Sequence, residues 1–191
     1  MDDQVLVSVI VPVYNGSYQL SLCIQALRSS SYRSFEIIVV DDASTDDSAE
    51  IARKNGTMVL QCLKQSGPAA ARNLGSKKAR GDILFFVDSD VLVKPDTLAR
   101  VVGDFSKHPD VTAVFGSYDD DPADNNFFSQ YKNLVHHFVH QQSNSDAVTF
   151  WAGCGAIRKD AFFSAGGFSR QRGQQPLFRL QPAHGRLFTG F

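Results

Sequence analysis

Asp88 and Asp90, with Ser89 between them, are the residues of this chain best suited to chemistry. They follow an unbroken apolar run, Ile83-Leu84-Phe85-Phe86-Val87, that reads as a buried strand. On strand alternation, positions i and i+2 share a face, so both carboxylates are expected to project into one cleft. Two carboxylates repel an anion such as a nucleoside diphosphate unless Mg²⁺ or Mn²⁺ bridges them, and that ion also neutralises charge building on a leaving diphosphate. The plain alternative is a solvated acidic turn. Asp119 and Asp121 repeat the D-x-D spacing in an open acidic loop, so context rather than spacing separates the two pairs.

Other polar clusters follow other apolar runs. Asp41 and Asp42 come after Ile37-Ile38-Val39-Val40, where a carboxylate could accept a hydrogen bond from a base N–H or a ribose hydroxyl. The competing reading there is a helix start, with Ser44 and Asp47 as a capping-box-like pair. Pro12 and Tyr14 flank Val13; proline is rare inside a central strand and should mark the strand's exit. Tyr14 offers a flat face to a nucleobase, or packs as an ordinary aromatic. Gly67-Pro68-Ala69-Ala70-Ala71-Arg72-Asn73 opens a helix whose amino end favours anions, and Arg72 could reach a phosphate or lie solvated on the surface. His136 and His140 have chelating i, i+4 spacing but no Glu in an H-E-x-x-H pattern, so they read as polar face residues.

The elements that must position these residues alternate. Candidate strands are 6–13, 35–40, 58–61, 83–87 and 111–115; candidate helices are 18–29, 46–54, 69–78 and 96–107. Leu20, Ile24 and Leu27 share a face of the first helix, and Pro68 and Pro95 sit where helices begin. This alternation predicts an α/β fold, a Rossmann-like, mainly parallel sheet with helices on both faces. In such sheets ligands bind beyond the carboxyl ends of the strands, where the polar clusters fall. Further on, residues 127–142 are expected to form a helix and 149–157 an irregular strand. After Asp160 the chain carries four arginines and no Asp or Glu. Residues 1–168 therefore read as one domain and 169–191 as an atypical, loosely ordered tail.

The bulk numbers exclude several classes. With 43% hydrophobic and 20% charged residues the 191-residue chain is globular, not disordered. A net charge of −1 gives no argument for nucleic acid or an anionic membrane. Cys23, Cys62 and Cys154 form no CxxC pair and read as isolated thiols in a reducing compartment. The amino terminus lacks a basic n-region, and no apolar run approaches the roughly 20 residues of a membrane helix. The expectation is a cytoplasmic protein, at most peripheral at the inner face of a membrane.

Taken together, the chain resembles the family 2 glycosyltransferases of the GT-A fold. The matching stretches are Val7-Ser8-Val9-Ile10-Val11-Pro12-Val13-Tyr14-Asn15, Val39-Val40-Asp41-Asp42-Ala43-Ser44-Thr45-Asp46, Ala71-Arg72-Asn73-Leu74-Gly75, Gly81-Asp82-Ile83-Leu84-Phe85-Phe86-Val87-Asp88-Ser89-Asp90 and Gly166-Gly167-Phe168. The resemblance implies a nucleotide-sugar donor, UDP-linked before GDP-linked, and a glycan or lipid-linked acceptor. Pro12, Val13, Tyr14, Asn15 and Asp41 or Asp42 would frame the nucleobase and ribose. Arg72 would lie near the base or diphosphate. Asp88 would touch ribose or metal beside Ser89, and Asp90 would ligate Mg²⁺ or Mn²⁺. Trp151, Gly153, Cys154 and Gly155 would line the acceptor side. Transfer in this family is usually inverting and uses an acidic base soon after the Gly-Gly-Phe stretch. Here Phe168 is followed by Ser169-Arg170-Gln171-Arg172, as if the family pattern were cut short or shifted in frame, leaving the acceptor side incomplete and the catalytic base unassigned. A non-catalytic nucleotide-sugar-binding protein is the alternative. A sugar nucleotidyltransferase is the other, although no cationic Gly-rich loop follows the first strand.

Overall fold

A computed structural model describes residues 4–115, 149–150, 153–169, 178–179 and 186–189. Trp151, the second D-x-D and the expected helix 127–142 with its histidines lie outside the described residues. The central sheet has seven strands in the order β3-β2-β1-β4-β7-β5-β9. These are β1 (Val7–Val13), β2 (Phe35–Asp41), β3 (Met58–Gln61), β4 (Ile83–Val87), β5 (Val111–Phe115), β7 (Cys154–Arg158) and β9 (Arg186–Thr189). β1, β2, β3 and β4 run parallel, and β7 is antiparallel to both β4 and β5. β6 (Thr149–Phe150) and β8 (Phe178–Arg179) form a separate antiparallel pair. The expected irregular strand 149–157 is thus two strands in two sheets. Two stretches of the tail are paired, β8 with β6 and β9 with β5.

Strand alternation divides the core into two layers. Val7, Val9, Val11 and Val13 of β1, with Ile83, Phe85 and Val87 of β4, face α1 (Ser17–Arg28), α2 (Ser48–Lys54) and α4 (Thr97–Lys107). Ile10, Ile38, Val40, Leu84 and Phe86 face the other way, toward α3 (Pro68–Lys78) and α5 (Lys159–Ser164). Among the described residues, α1 to α4 begin and end within two residues of the four expected positions, α5 was not among the expected helices, and both faces are covered as the alternation required.

Pro12 lies inside β1 rather than at its exit, in register with Val40 of β2. The odd residues of β1 bond to β2: the Val7 N–H donates to Ser34 O, and Asp42 N–H donates to Val13 O. The even residues therefore turn their N–H groups toward β4, and pairing with β4 ends at Ile10. A proline two positions further on breaks no ladder bond, so the strand continues on one side only. No helix among the described residues is long and apolar enough to cross a membrane.

Candidate functional site

The carboxyl ends of β1, β2 and β4 meet at one edge of the sheet. The loop after β1 is fastened to the loop after β2. Asn15, at φ 49°, donates its N–H to Ser44 Oγ at 3.0 Å, and its Oδ1 accepts the Thr45 N–H at 2.7 Å. Gly16 N–H donates to Ser48 Oγ, and Ser17 N–H to Asp46 Oδ2 at 3.0 Å. The amino end of α1 is thus capped by side chains of the next loop, because Gly16 has none to offer.

This corrects the expected capping box. α2 begins at Ser48, and Asp47 at its cap position makes no side-chain cap bond. Ser44 is taken by Asn15 instead. Ala43, at φ 64°, turns the loop across to β1.

The paired acids after β2 are almost wholly buried, Asp41 at 1% exposure and Asp42 at 4%. Asp41 accepts the Ser44 N–H at Oδ1 and the Gln61 amide at Oδ2. Asp42 accepts the Ser66 N–H at 2.8 Å and the Gly67 N–H at 2.7 Å, one per oxygen. Asp42 therefore holds the start of α3. Each carboxylate oxygen still has a second lone pair. Beside them Pro12 and Val13 are buried, whereas Tyr14 is 47% exposed and presents its ring at the rim.

β4 stops at Val87, opposite Cys154 of β7. Asp88 N–H then donates to Gly153 O at 2.9 Å, and Asp88 O accepts the Val91 N–H at 3.0 Å, closing a tight turn. The expected pleated-strand relation of Asp88 and Asp90 does not hold, since this turn replaces the strand. Asp88 keeps the parity of Leu84 and Phe86 and turns to the α3 face, where Arg72 Nη2 meets its Oδ1. Arg72 is 4% exposed, while Asp90 stands in solvent. Burial raises the Asp88 carboxyl above its ordinary range, Arg72 pulls it back, and the neighbouring Asp90 adds to the rise. Asp90 is thus close enough to be felt by Asp88. Cys23 lies beneath, donating to Asp88 O at 3.7 Å; burial and the two acids push its thiol up to about 12. Burial first, with Asp88 and Cys23 adding, does the same to Cys154. Raising a thiol in this way disfavours the thiolate, the nucleophilic form. Gly16 approaches this turn: a Cβ there would lie 3.6 Å from Ser89 Oγ.

The structure brings Pro12, Val13, Tyr14, Asn15, Asp41, Asp42, Arg72, Asp88, Ser89 and Asp90 to one edge, with Gly153, Cys154 and Gly155 beside Val87 and Asp88. Among the described residues no three His, Cys, Asp or Glu side chains cluster as a metal nest. Two carboxylates do suit Mg²⁺ or Mn²⁺ as a partial oxygen set, completed by a ligand's phosphates and water. A groove of about 490 Å³ lies at the opposite edge, lined by Arg28, Phe35, Glu36, Met58 and Arg80 near the strands' amino ends. Sequence reasoning missed Phe168 as a partner of Arg72 and Asn73 as the partner of Phe168; both lay within quoted stretches, but nothing local joins them.

A mannosyltransferase from Pyrobaculum calidifontis, PcManGT in complex with GDP-Man and Mn²⁺, superposes with a TM-score of 0.74 at 24% identity over 96% of this chain and 54% of that one. Staphylococcus aureus TarS 1-349 in complex with UDP-GlcNAc gives 0.70 at 20% identity, over 97% and 58%. These likenesses establish the fold, that of the GT-A glycosyltransferases. The Glycosyl transferase family 2 profile matches residues 8–165, and the chain belongs to that family. Glycosyltransferase GlyG of Streptococcus pneumoniae is 36% identical over 129 residues, 64% of this chain and 42% of GlyG. An uncharacterized glycosyltransferase of Haemophilus influenzae is 39% identical over 100 residues, 50% of this chain and 40% of the relative. The chain thus spans less than half the length of these relatives.

Proposed function

We propose that this chain binds a nucleotide-diphosphate sugar, UDP-linked before GDP-linked, for transfer to a hydroxyl of a glycan or lipid-linked acceptor with inversion. The observation that carries this reading is the convergence of three strand ends on Asp88 and Asp90, with a buried arginine on Asp88 and an exposed aromatic at the rim. Tyr14 stacks on the base, and Asp41 or Asp42 accepts from base or ribose with a spare lone pair, in a pocket shaped by Pro12, Val13 and Asn15. Asp90 and Asp88 would hold Mg²⁺ or Mn²⁺, and the ion would supply positive charge to a leaving diphosphate. Ser89 lies between them, in reach of the ribose or diphosphate. Trp151, Gly153, Cys154 and Gly155 border the acceptor. In transfer the acceptor oxygen bonds to the anomeric carbon, the bond to the diphosphate oxygen breaks, and the hydroxyl proton passes to a base.

No carboxylate follows Asp160 to serve as that base. We therefore assign donor binding to residues 1–168 and expect weak transfer from the 191 residues as they stand. General-base catalysis is typically worth about 10²–10⁴-fold. A nucleotide-sugar-binding protein without turnover is the second reading. The site is expected to work in the cytoplasm, at most at a membrane's inner face.

Calorimetry with UDP in Mn²⁺ and in EDTA tests the donor half; equal affinity in both would remove the metal. UDP release and sugar transfer, scored separately against a version carrying an acidic continuation after Phe168, test the rest. Transfer by the unextended chain at the extended chain's rate would place the base among residues 1–168.

A further inference from the structure

Arg72-Asn73 and Gly166-Gly167-Phe168 are remote in sequence and form one unit in space. Asn73 clasps the Phe168 backbone at both polar groups. The Phe168 N–H donates to Asn73 Oδ1 at 2.9 Å, and Asn73 Nδ2 donates to the Phe168 carbonyl at 2.9 Å. The two glycines make this approach possible. Gly166 and Gly167 have φ of 84° and 73°, a region that L side chains avoid, and a Cβ on Gly167 would stand 2.8 Å from Asn73 Oδ1.

The clasp fixes the Phe168 ring. It packs edge-on against Phe86, with ring centres 5.0 Å apart, and against Phe162 at 5.3 Å. Over the same ring, 5.8 Å from its centre, sits the guanidinium carbon of Arg72. Arg72 is thus buried between an aromatic ring and Asp88. Its Nε and Nη1 are buried without a hydrogen-bond partner among the described residues. Leaving the three N–H donors of these two nitrogens unmet costs stability, and a residue serving packing alone would not need them. The charge is held on two sides, at Nη2 by Asp88 and over its flat face by the Phe168 ring.

We propose that Asn73 is a positioning residue of the donor site: by fastening Phe168 beneath Arg72 it holds Arg72 on Asp88, and so orients the carboxylate that faces metal and diphosphate. This rests on the donor reading above and deepens it. Arg72 acts on the donor through Asp88, and the Gly-Gly-Phe turn supports the donor site from the far end of the domain. The alternative is that Asn73 simply staples α3 to the segment after α5.

A double-mutant cycle separates the two. UDP is titrated in Mn²⁺ and in EDTA into the full chain, Asn73→Ala, Arg72→Lys and the double variant, well below each unfolding midpoint. Asn73→Ala is expected to weaken Mn²⁺-dependent binding about 3–10-fold, and Arg72→Lys at least as much. The double variant should bind about as Arg72→Lys alone, because Asn73 acts through Arg72. Gly167→Ala, which pushes on the clasp from the other side, should repeat the Asn73→Ala loss. Should Asn73→Ala fail to fold, Asn73→Asp, which keeps the acceptor for the Phe168 N–H, takes its place with a smaller loss. A lowered melting temperature with unchanged UDP affinity, or losses that multiply in the double variant, would overturn the proposal. If the unsubstituted chain binds UDP no better with Mn²⁺ than in EDTA, the donor reading falls and this inference with it. If it does and Asn73→Ala matches it, only the inference falls.

Discussion

Asp88 and Asp90 carry the same charge into different surroundings. Asp88 is half-buried and paired with Arg72, whereas Asp90 is open to solvent, free to meet an arriving ion. Replacing Asp90 by Asn should cost donor binding about 1.5–3 kcal/mol, the worth of a charge-assisted contact, and Asp119→Asn should cost little. Calorimetry with UDP and Mn²⁺ on both variants reads this; similar losses would mean the other D-x-D holds the ion. Ala43 illustrates a different residue-scale effect. At φ 64° it occupies left-handed backbone that an alanine adopts only at a cost. Ala43→Gly is therefore expected to raise stability by about 0.5–1 kcal/mol, after allowing for glycine's greater freedom in the unfolded chain. Thermal unfolding checks it, and a lower midpoint would show that the Ala43 methyl does something the turn needs.

At the scale of elements, α3 lies hard against the sheet. A Cβ on Gly75 would meet Ile10 Cγ2 at 2.6 Å and Val40 Cγ2 at 3.1 Å, so Gly75→Ala should destabilise by about 1–3 kcal/mol through overpacking. Gly103, within α4, has nothing within 4 Å of its would-be Cβ. The same substitution there should stabilise by about 0.5–1 kcal/mol, because alanine is the better helix former. Opposite shifts in the denaturant midpoint are the expected result, and shifts of one sign would contradict the packing described. The amino end of α1 makes a related point. Its cap comes from Asp46, one loop away, and this carboxylate also accepts the Ser48 N–H. One side chain thus serves two helices and fastens the loop after β1 to the loop after β2 at the carboxyl edge of the sheet.

Over the whole molecule, the two edges of the sheet carry separate polar networks. At the amino edge Glu36 accepts the Ser8 hydroxyl at 2.7 Å, the Arg80 N–H at 2.8 Å and the Arg80 guanidinium at 2.9 Å. Ser8 in turn accepts the Gly81 N–H at 2.8 Å, which explains a serine at 0% exposure in an apolar strand. Burial pushes the Glu36 carboxyl up, but the Arg80 and Ser8 bonds outweigh it and hold it below its ordinary value of 4.5. Its stabilising contribution is therefore complete above pH 4.5 and is lost as pH falls through the lower folded value. Glu36→Gln should cost about 1.5–3 kcal/mol at neutral pH, less in acid, and leave UDP affinity unchanged. A fall in UDP affinity measured below the unfolding midpoint would show that the edges are coupled.

The sequence by itself determined the order of strands and helices from β1 to β5, their two-faced packing and the edge at which the polar clusters gather. Each of these follows from local periodicity: Val7, Val9 and Val11 alternate with period two, and Leu20, Ile24 and Leu27 recur with the period of a helix. The stretches quoted for the family were equally legible, being short and contiguous. Only the tertiary structure decided what the polar residues in them touch. Asp42 holds the start of α3, Ser44 serves Asn15 rather than a capping box, and Asp88 leaves the strand for a turn and meets Arg72. The same structure joins Asn73 to Phe168 across the domain. These partners come from segments far apart in the chain, and hydrogen bonding by a carboxylate or an amide has no periodicity. It is fixed by which backbone N–H groups the folded loops bring within about 3 Å, and nothing in the neighbouring residues encodes that.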